Sequence, residues 1–243
     1  RHCPLKMLIK TSAIVLSSLK YGDSGKIVKL YTESSGVQSF IVQSVYAKNN
    51  RKNSLLIPLN PLEIVFDDKN TQSLRHFKEI NQNHHYQSLY LHTAKTSIVL
   101  FLAEVLNAVL KEEETNVRLF RFIQNSFLEF DQKQNAFADF HVWFLTHLTQ
   151  FLGFYPHLEN SSLYFDLTNG ISTNEIPNGI FISESDLQNF EKVLSLEFFT
   201  QTENQFNQNQ RKSILSTLMK YYDLHISDFR HPKSLDVLSL VFE

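Results

Sequence analysis

The periodicity of apolar residues changes near residue 84, and this change constrains the fold more than any other feature. Before it, β-branched and aromatic runs are separated by turn sequences such as Tyr21-Gly-Asp-Ser-Gly25 and Ser34-Ser-Gly36, a pattern typical of antiparallel strands. After it, apolar residues recur every three or four positions, which indicates amphipathic helices. The sequence therefore predicts an α+β protein with a domain of strands at residues 1–83 and a mostly α-helical domain at residues 84–243.

Short strands fill the first domain. The runs that predict them are residues 13–16, 26–32, 37–45, 62–66 and, more weakly, 74–80. Four or five short strands with tight early turns suggest a small antiparallel barrel, and a five-stranded Greek-key barrel is the OB-fold pattern. The strand count by itself also suits an SH3-like barrel, so it leaves both open.

Helices separated by one small β-module fill the second domain. The spacing predicts helices at about 96–110, from Thr115 through Phe130, at 136–152, from Ser183 or Ser185 to about 196, at 211–222 and at 235–241. Between the third and fourth helices, Leu163 to Gly170 is typical of a strand that enters an Asn-Gly turn. Residues 180–182 supply its partner or a third short strand. We therefore expect an inserted β-hairpin module at about residues 160–182.

Bulk features narrow the class of protein. The longest apolar run, Ile98 to Ala103, is too short to span a bilayer, so we expect no membrane partner and a cytoplasmic protein. Residues 1–6 lack a signal-peptide core and precede Met7, which suggests a leader before the native start. The single cysteine, Cys3, can form neither an internal disulfide nor a multi-cysteine zinc site.

Charge is distributed unevenly along the chain. Residues 1–80 contain 12 Lys and Arg against 6 Asp and Glu, whereas residues 81–243 contain 11 against 19. A basic front on an acidic body favours an anionic partner for the front. Chance variation and the solvation of surface strands remain the alternative explanation at this level.

Signatures of catalysis are missing from the sequence. It contains no G-x-G-x-x-G, G-x-x-x-x-G-K-[ST], H-E-x-x-H or G-x-S-x-G motif. Glu63, Asp67 and Asp68 could in principle hold Mg²⁺, although a turn that begins at Asp67 explains them more simply. Glu112 to Glu114 are typical of a solvated helix end. We therefore expect no catalytic residue, no metal site and no cofactor.

Basic residues of the front are the more promising set. They bracket the predicted strands and loops and are Lys10, Lys20, Lys26, Lys29, Lys48, Arg51 and Lys52. A groove that follows a nucleic-acid backbone needs such charges together with aromatic rings for base stacking. Tyr21 and Tyr46 are the main ring candidates, and Tyr31 and Phe40 lie near enough in sequence to join them. For any single lysine, a role at an edge strand or a plain surface position is the simpler explanation; for the set, we predict nucleic-acid binding.

Several segments, in order along nearly the whole chain, resemble the RecO family of recombination mediators. The most specific are Thr11-Ser-Ala-Ile-Val-Leu16 and Tyr21-Gly-Asp-Ser-Gly-Lys-Ile-Val-Lys-Leu-Tyr-Thr32, followed by Gly36. Weaker similarities are Pro58-Leu-Asn-Pro-Leu-Glu63, Phe151-Leu-Gly-Phe-Tyr-Pro-His-Leu158 and Ser234-Leu-Asp-Val-Leu238.

This resemblance implies a fold and a function. The fold is an N-terminal OB domain followed by a helical domain. The function is a non-enzymatic role in DNA repair, in which RecO proteins bind single- and double-stranded DNA and anneal complementary strands. With RecR they help RecA to load onto DNA coated by single-stranded-DNA-binding protein, and many also contact the acidic tail of that coating protein.

One departure from the family concerns metal. Many RecO proteins carry a four-cysteine zinc module after the equivalent of Phe151-Leu-Gly153, whereas residues 160–179 contain no cysteine. We expect the module to persist without metal, held together by Leu163, Phe165, Ile171 and Ile176. The acidic body also gives no basis for assigning a basic pocket for an acidic tail.

Two other functions stay open from the sequence. One is an interaction scaffold whose OB barrel binds a protein partner rather than DNA. The other is a metal-dependent nuclease built on Asp67 and Asp68, for which we expect no activity.

Overall fold

The computed structural model describes residues 8–43, 45, 52–67, 74–110, 115–159 and 161–241. These residues divide into two compact units. The first is drawn from residues 1–87 and 99–128, and the second from residues 88–98 and 129–243. The domain boundary that the sequence places at residue 83 stays a prediction.

The first unit is built on a five-stranded antiparallel sheet. Its strands are β1 (Leu8–Tyr21), β2 (Gly25–Thr32), β3 (Gly36–Val42), β4 (Pro61–Asp67) and β5 (Phe77–Gln82), with the short helix α1 (Lys52–Leu55) before β4. The strand order is β3-β2-β1-β4-β5. Phe40 of β3 forms one parallel bridge with Arg75, where the Ile41 amide donates to the Arg75 carbonyl at 2.8 Å. This arrangement confirms the predicted OB fold, although among the residues that the structure describes a single bridge rather than a continuous ladder joins the two edges.

Strand β1 is far longer than the predicted run at residues 13–16 because it pairs with two different strands. Its first half, Leu8 to Ile14, pairs with β4, and its second half, from Ala13 to Tyr21, pairs with β2. The register with β2 shifts between Val15 and Ser17. Such a bulge bends a strand and increases its twist, which lets one strand contribute to both sides of a curved sheet.

Alternate residues of these strands form the core of the first unit. Fully or almost fully buried members are Ala13, Val15, Val28, Leu30, Phe40, Val42, Val45, Leu56, Leu62, Ile64 and Phe66. The opposite face of the sheet is also covered where Tyr31 lies. Its ring centroid is 5.7 Å from that of Phe120, and its hydroxyl donates to the Asn116 carbonyl at 3.2 Å. Burial on both faces explains why Ile14 and Leu16 are apolar although they break the alternation.

The remaining elements confirm the predicted helices and the small module. The helices are α2 (Thr93–Val109), α3 (Val117–Gln132), α4 (Phe140–Leu152), α5 (Glu184–Leu194), α6 (Gln208–His225) and α7 (Leu235–Val241). The small sheet has strands β6 (Tyr164–Asp166), β7 (Ile171–Thr173) and β8 (Phe181–Ser183) in the order β7-β6-β8. Helix α6 begins before the predicted Arg211 because Asn207 and Gln210 form a capping box. Among the described residues, no helix combines the length and apolarity that a membrane crossing needs.

Aromatic rings dominate the core of the second unit. Phe130 and Phe140 stack with centroids 3.9 Å apart and planes 5° from parallel. Trp143 extends the stack and lies 5.6 Å from Phe198. Gly153 ends α4 in the left-handed conformation at φ 87°, as the sequence predicts from glycine.

Phe165 anchors the small sheet in the second unit. Its side chain is fully buried, and its ring lies 5.3 Å from Phe190 and 6.0 Å from Tyr221. Two contacts from α6 complete the attachment: the Tyr221 hydroxyl donates to the Phe154 carbonyl at 2.9 Å, and a His225 ring nitrogen lies 2.9 Å from the Leu167 carbonyl oxygen. Aromatic packing therefore holds the module against its unit.

Three of the four residues expected to hold this module do not do so. Leu163, Ile171 and Ile176 expose 60%, 48% and 69% of their surface, so the prediction is wrong for them and right only for Phe165. Side chains alternate between the faces of a strand. Since Ile171 lies opposite Asp166 and not opposite Phe165, it falls on the outer face.

A buried polar group lies at the start of α4. Asp139 is 2% exposed, and its carboxylate accepts hydrogen bonds from the Gln205 amide at 2.5 Å and from Arg211 at 3.3 Å. Burial raises the pKa of Asp139, against the opposing effect of these donors. Burial and, to a smaller extent, the charge of Arg211 together lower the pKa of His141 to about 3.

The shifted His141 predicts a loss of stability in acid. Its pKa falls from 6.5 to about 3 on folding, so between these values the unfolded chain binds a proton that the folded chain does not. Stability is therefore retained above pH 6.5 and falls below it, by about 1.4 kcal/mol per pH unit from this group. We expect His141→Gln to show a shallower acid dependence of the free energy of unfolding, measured in urea with Trp143 fluorescence. Parallel slopes for the two proteins would contradict this.

The anchoring of the module predicts unequal effects of two truncations. Phe165→Ala removes a fully buried ring and should cost about 3 to 5 kcal/mol of stability. Ile176→Ala alters an exposed side chain and should change stability by less than about 0.5 kcal/mol. Hydrogen exchange of the β6 and β8 amides reports the module directly. Similar exchange in both variants would show that Phe165 is not the anchor.

Candidate nucleic-acid interface

The hairpin between β1 and β2 positions most of the predicted site residues that the structure describes. Gly22 adopts φ 61° in its turn, a conformation that favours glycine. A Cβ atom on Gly25 would lie 2.9 Å from the Tyr21 carbonyl oxygen, so this close approach also needs glycine. The Val45 amide donates to the Ser24 carbonyl at 2.9 Å and fixes the tip. The turn sequence is thus explained by backbone geometry.

Three lysines gather at one end of the sheet. Lys20 lies directly opposite Lys26 in the ladder, so both side chains project from the same face. The Lys26 ammonium donates to the Asn53 side chain at 2.7 Å, which brings it beside the exposed Lys52 of α1. We call Lys20, Lys26 and Lys52 the basic cluster. It is the part of the predicted set that the structure brings together.

The other face of the same hairpin carries exposed apolar surface. Tyr21 and Leu19 expose 51% and 66% of their surface. These two residues are two positions apart on β1, so they share a face of the strand. Ser17 shares that face too, and it lies opposite the half-buried Lys29. Tyr21 and Lys29 therefore lie on the face opposite the basic cluster. A nucleic acid that contacts both sets would have to pass around the hairpin tip.

Lys10 lies away from this hairpin. It occupies the first half of β1, opposite Val65, and its ammonium pairs with Glu63 at 2.9 Å. Asp67 is similarly paired with Lys78 at 3.3 Å. Two of the three carboxylates considered for Mg²⁺ are therefore engaged by lysines. Across the ranges that the structure describes, no group of three or more His, Cys, Asp or Glu side chains could hold a metal ion.

Two of the aromatic candidates are buried in the first unit. Tyr31 is 2% exposed and Phe40 is fully buried. Phe40 stacks on Phe77 with centroids 4.3 Å apart. The prediction that these two rings stack on bases is wrong, because one lies in the barrel core and the other is covered by Phe120. Tyr21 remains an accessible ring.

The rest of the predicted set falls outside the described residues. These are Tyr46, Lys48 and Arg51, together with Asp68 and Glu112 to Glu114.

Sequence reasoning missed two features of the hairpin. Asn53 orients Lys26 through a hydrogen bond, and only the fold brings these positions together. Leu19 supplies exposed apolar surface beside Tyr21. Its spacing from Tyr21 on a strand could have indicated this, because residues two apart share a face.

Comparison with known proteins assigns both parts of the chain. Residues 7–86 match the family model described as "Recombination protein O N terminal". Residues 92–235 match the model described as "Recombination protein O C terminal". The two matches together span nearly the whole sequence.

Curated relatives agree with the family models. The "DNA repair protein RecO" of Christiangramia forsetii is 38% identical over 239 residues, which are 97% of this chain and all of that protein. The proteins of the same name from Flavobacterium psychrophilum and Bacteroides fragilis are 34% and 36% identical, over 97% and 98% of this chain and the whole of each relative. An OB-type sheet, a helical part and full-length similarity thus lead to one conclusion: the chain belongs to the RecO family of DNA repair proteins.

Proposed function

We propose that this protein is a recombination mediator that binds single- and double-stranded DNA and anneals complementary strands. In the same proposal it acts with RecR to help RecA load onto DNA coated by single-stranded-DNA-binding protein. Membership of the RecO family supports these roles. The observation that carries DNA binding is the basic cluster, which lies at the same hairpin as the exposed ring of Tyr21.

Annealing needs two strands of like charge to approach each other. Lysine ammonium groups offset phosphate repulsion and release condensed counterions on binding. The exposed ring of Tyr21 offers a platform on which a base can stack. Because the cluster and the ring lie on opposite faces of one hairpin, the strand backbone and its bases can be held by different faces.

This function requires no bond to be broken. We propose that the protein is a mediator without an active site or cofactor, and that it acts in the cytoplasm without a membrane partner. The pairing of Glu63 and Asp67 with lysines supports the non-catalytic assignment.

Neutralising the basic cluster should weaken DNA binding and flatten its salt dependence. We expect the triple change Lys20→Gln, Lys26→Gln and Lys52→Gln to make binding of single-stranded DNA less sensitive to salt. The slope of log K, the association constant, against log salt should become less negative by about 2, at about 0.7 for each lost phosphate contact. Fluorescence anisotropy of a labelled oligonucleotide at several salt concentrations measures the slope.

A matched triple in the second unit provides the control. Lys212, Lys220 and Lys233 are exposed, and their change to Gln alters net charge by the same amount as the change in the cluster. Equal weakening by both triples would assign binding to overall charge rather than to the cluster. Unchanged DNA affinity of the cluster variant, combined with lost binding of RecR, would favour the protein-scaffold function instead.

Removing the exposed ring should weaken single-strand binding specifically. Tyr21→Ala should cost about 1 to 3 kcal/mol of binding to single-stranded DNA, the range for a base-stacking ring, whereas Tyr21→Phe should bind normally. Leu19→Ala is the control for lost apolar area on the same face. The same variants can be compared for their annealing rate with complementary strands. A Leu19→Ala effect as large as that of Tyr21→Ala would argue against stacking.

A further inference from the structure

A long segment of the second unit carries negative charge only. Residues 134–191 contain no lysine or arginine and include the carboxylates Asp139, Glu159, Asp166, Glu175, Glu184, Asp186 and Glu191. Asp139 is buried, but Glu159, Glu175, Glu184 and Asp186 are exposed. These four surround the small sheet in sequence, so the surface that the segment itself supplies there is acidic.

The same segment exposes an unusual amount of apolar surface. Leu163, Ile171, Ile176, Ile180 and Phe181 are exposed by 60%, 48%, 69%, 49% and 37%. Single exposed apolar residues are normal on any protein, whereas five within 19 residues point to a patch. Contiguous apolar patches with polar rims mark interaction sites.

Strand register shows that the centre of this patch is continuous. Ile171 of β7 and Phe181 of β8 both lie opposite Asp166 of β6, so the three side chains form one row across the outer face. Tyr164 occupies the next row and its ring meets that of Phe181 edge-on at 5.4 Å. The opposite face carries Phe165, which the fold uses for its own core.

Asp166 keeps a negative charge within this row. Its carboxylate accepts hydrogen bonds from the Thr168 and Asn169 amides at 2.8 and 3.2 Å and from the Asn169 side chain at 2.7 Å. Burial raises the pKa of Asp166, but these donors outweigh it and lower the pKa below its ordinary value. The outer face therefore combines apolar side chains with a fixed, mostly buried anion, and exposed carboxylates lie in the flanking sequence.

We propose that the outer face of the small sheet, centred on Tyr164, Ile171 and Phe181, docks a cationic, apolar segment of a partner protein. Charge complementarity selects this occupant, because the exposed carboxylates of the segment repel DNA and acidic peptides. Its apolar residues would cover the row, and its lysine or arginine residues would pair with the exposed Glu159 and Glu175. This surface consists of residues of the second unit and shares none with the hairpin of the first unit, to which the proposed function assigns DNA binding.

A pair of model peptides tests the proposal on the full chain. The probe is a fluorescein-labelled peptide of about eight alternating Lys and Val residues, long enough for one strand. The control is a labelled peptide of the same length that alternates Glu and Val. We expect the Lys peptide to bind and the Glu peptide not to bind, with affinity that falls as salt rises.

Two double variants divide the surface into its components. Ile171→Ser with Phe181→Ser removes the apolar row, and Glu159→Gln with Glu175→Gln removes rim charge. Each should weaken the Lys peptide at least about tenfold and leave single-stranded DNA affinity unchanged. Leu224→Ser with Glu203→Gln alters one exposed apolar and one exposed acidic residue elsewhere in the second unit, and should have no effect.

Three results would overturn the proposal. If only the Glu159 and Glu175 changes weakened binding of the Lys peptide, the binding would be bulk electrostatic attraction. If the Glu peptide bound as tightly as the Lys peptide, the binding would be unselective apolar contact. Self-association of the wild-type protein in sedimentation, abolished by the Ile171 and Phe181 changes, would identify the occupant as a second copy. The effect of the Lys20, Lys26 and Lys52 changes on DNA binding tests only the proposed function. Binding of the Lys peptide tests the docking surface, so the two proposals can fail separately.

Discussion

The pairing of β1 with two partners is the constraint on which the barrel depends. Leu8 to Ile14 join β4, the second half joins β2, and the register shift after Val15 lets the strand bend between them. Without that bend, the two hairpins would lie in one flat sheet and could not enclose Phe40 and Phe66. The same strand ends in Lys20 and Tyr21, so the bend and pairing of β1 also determine where the candidate interface lies.

Local pattern was sufficient to predict most elements of the fold. Helices α2 and α4 follow from apolar spacing, and the β1–β2 turn follows from its glycines. The full length of β1 did not follow, because polar residues at 10–12 and 17–18 flank the apolar run at 13–16, and its pairing with β4 depends on residues about 50 positions away. The Phe40–Arg75 bridge is likewise a tertiary contact with no local signal.

The candidate site was predictable in composition but not in arrangement. Sequence placed lysines near the strands, yet the face of each lysine depends on register, which separates Lys29 from Lys26 and pairs Lys10 with Glu63. The same limit explains Tyr31, whose burial requires Phe120. For the small sheet, apolar type alone could not distinguish the buried Phe165 from residues on the outer face.

The opposed ammonium groups of Lys20 and Lys26 have a consequence for the folded protein without DNA. Like charges directly opposite in a ladder disfavour the pairing, by roughly 0.2 to 1 kcal/mol. Dissolved salt screens that repulsion and so strengthens the hairpin, while the same salt weakens attraction to phosphate. Ionic strength therefore acts in opposite directions on the stability of this hairpin and on its proposed binding of DNA, and the phosphates of a bound strand would offset the repulsion between the two lysines.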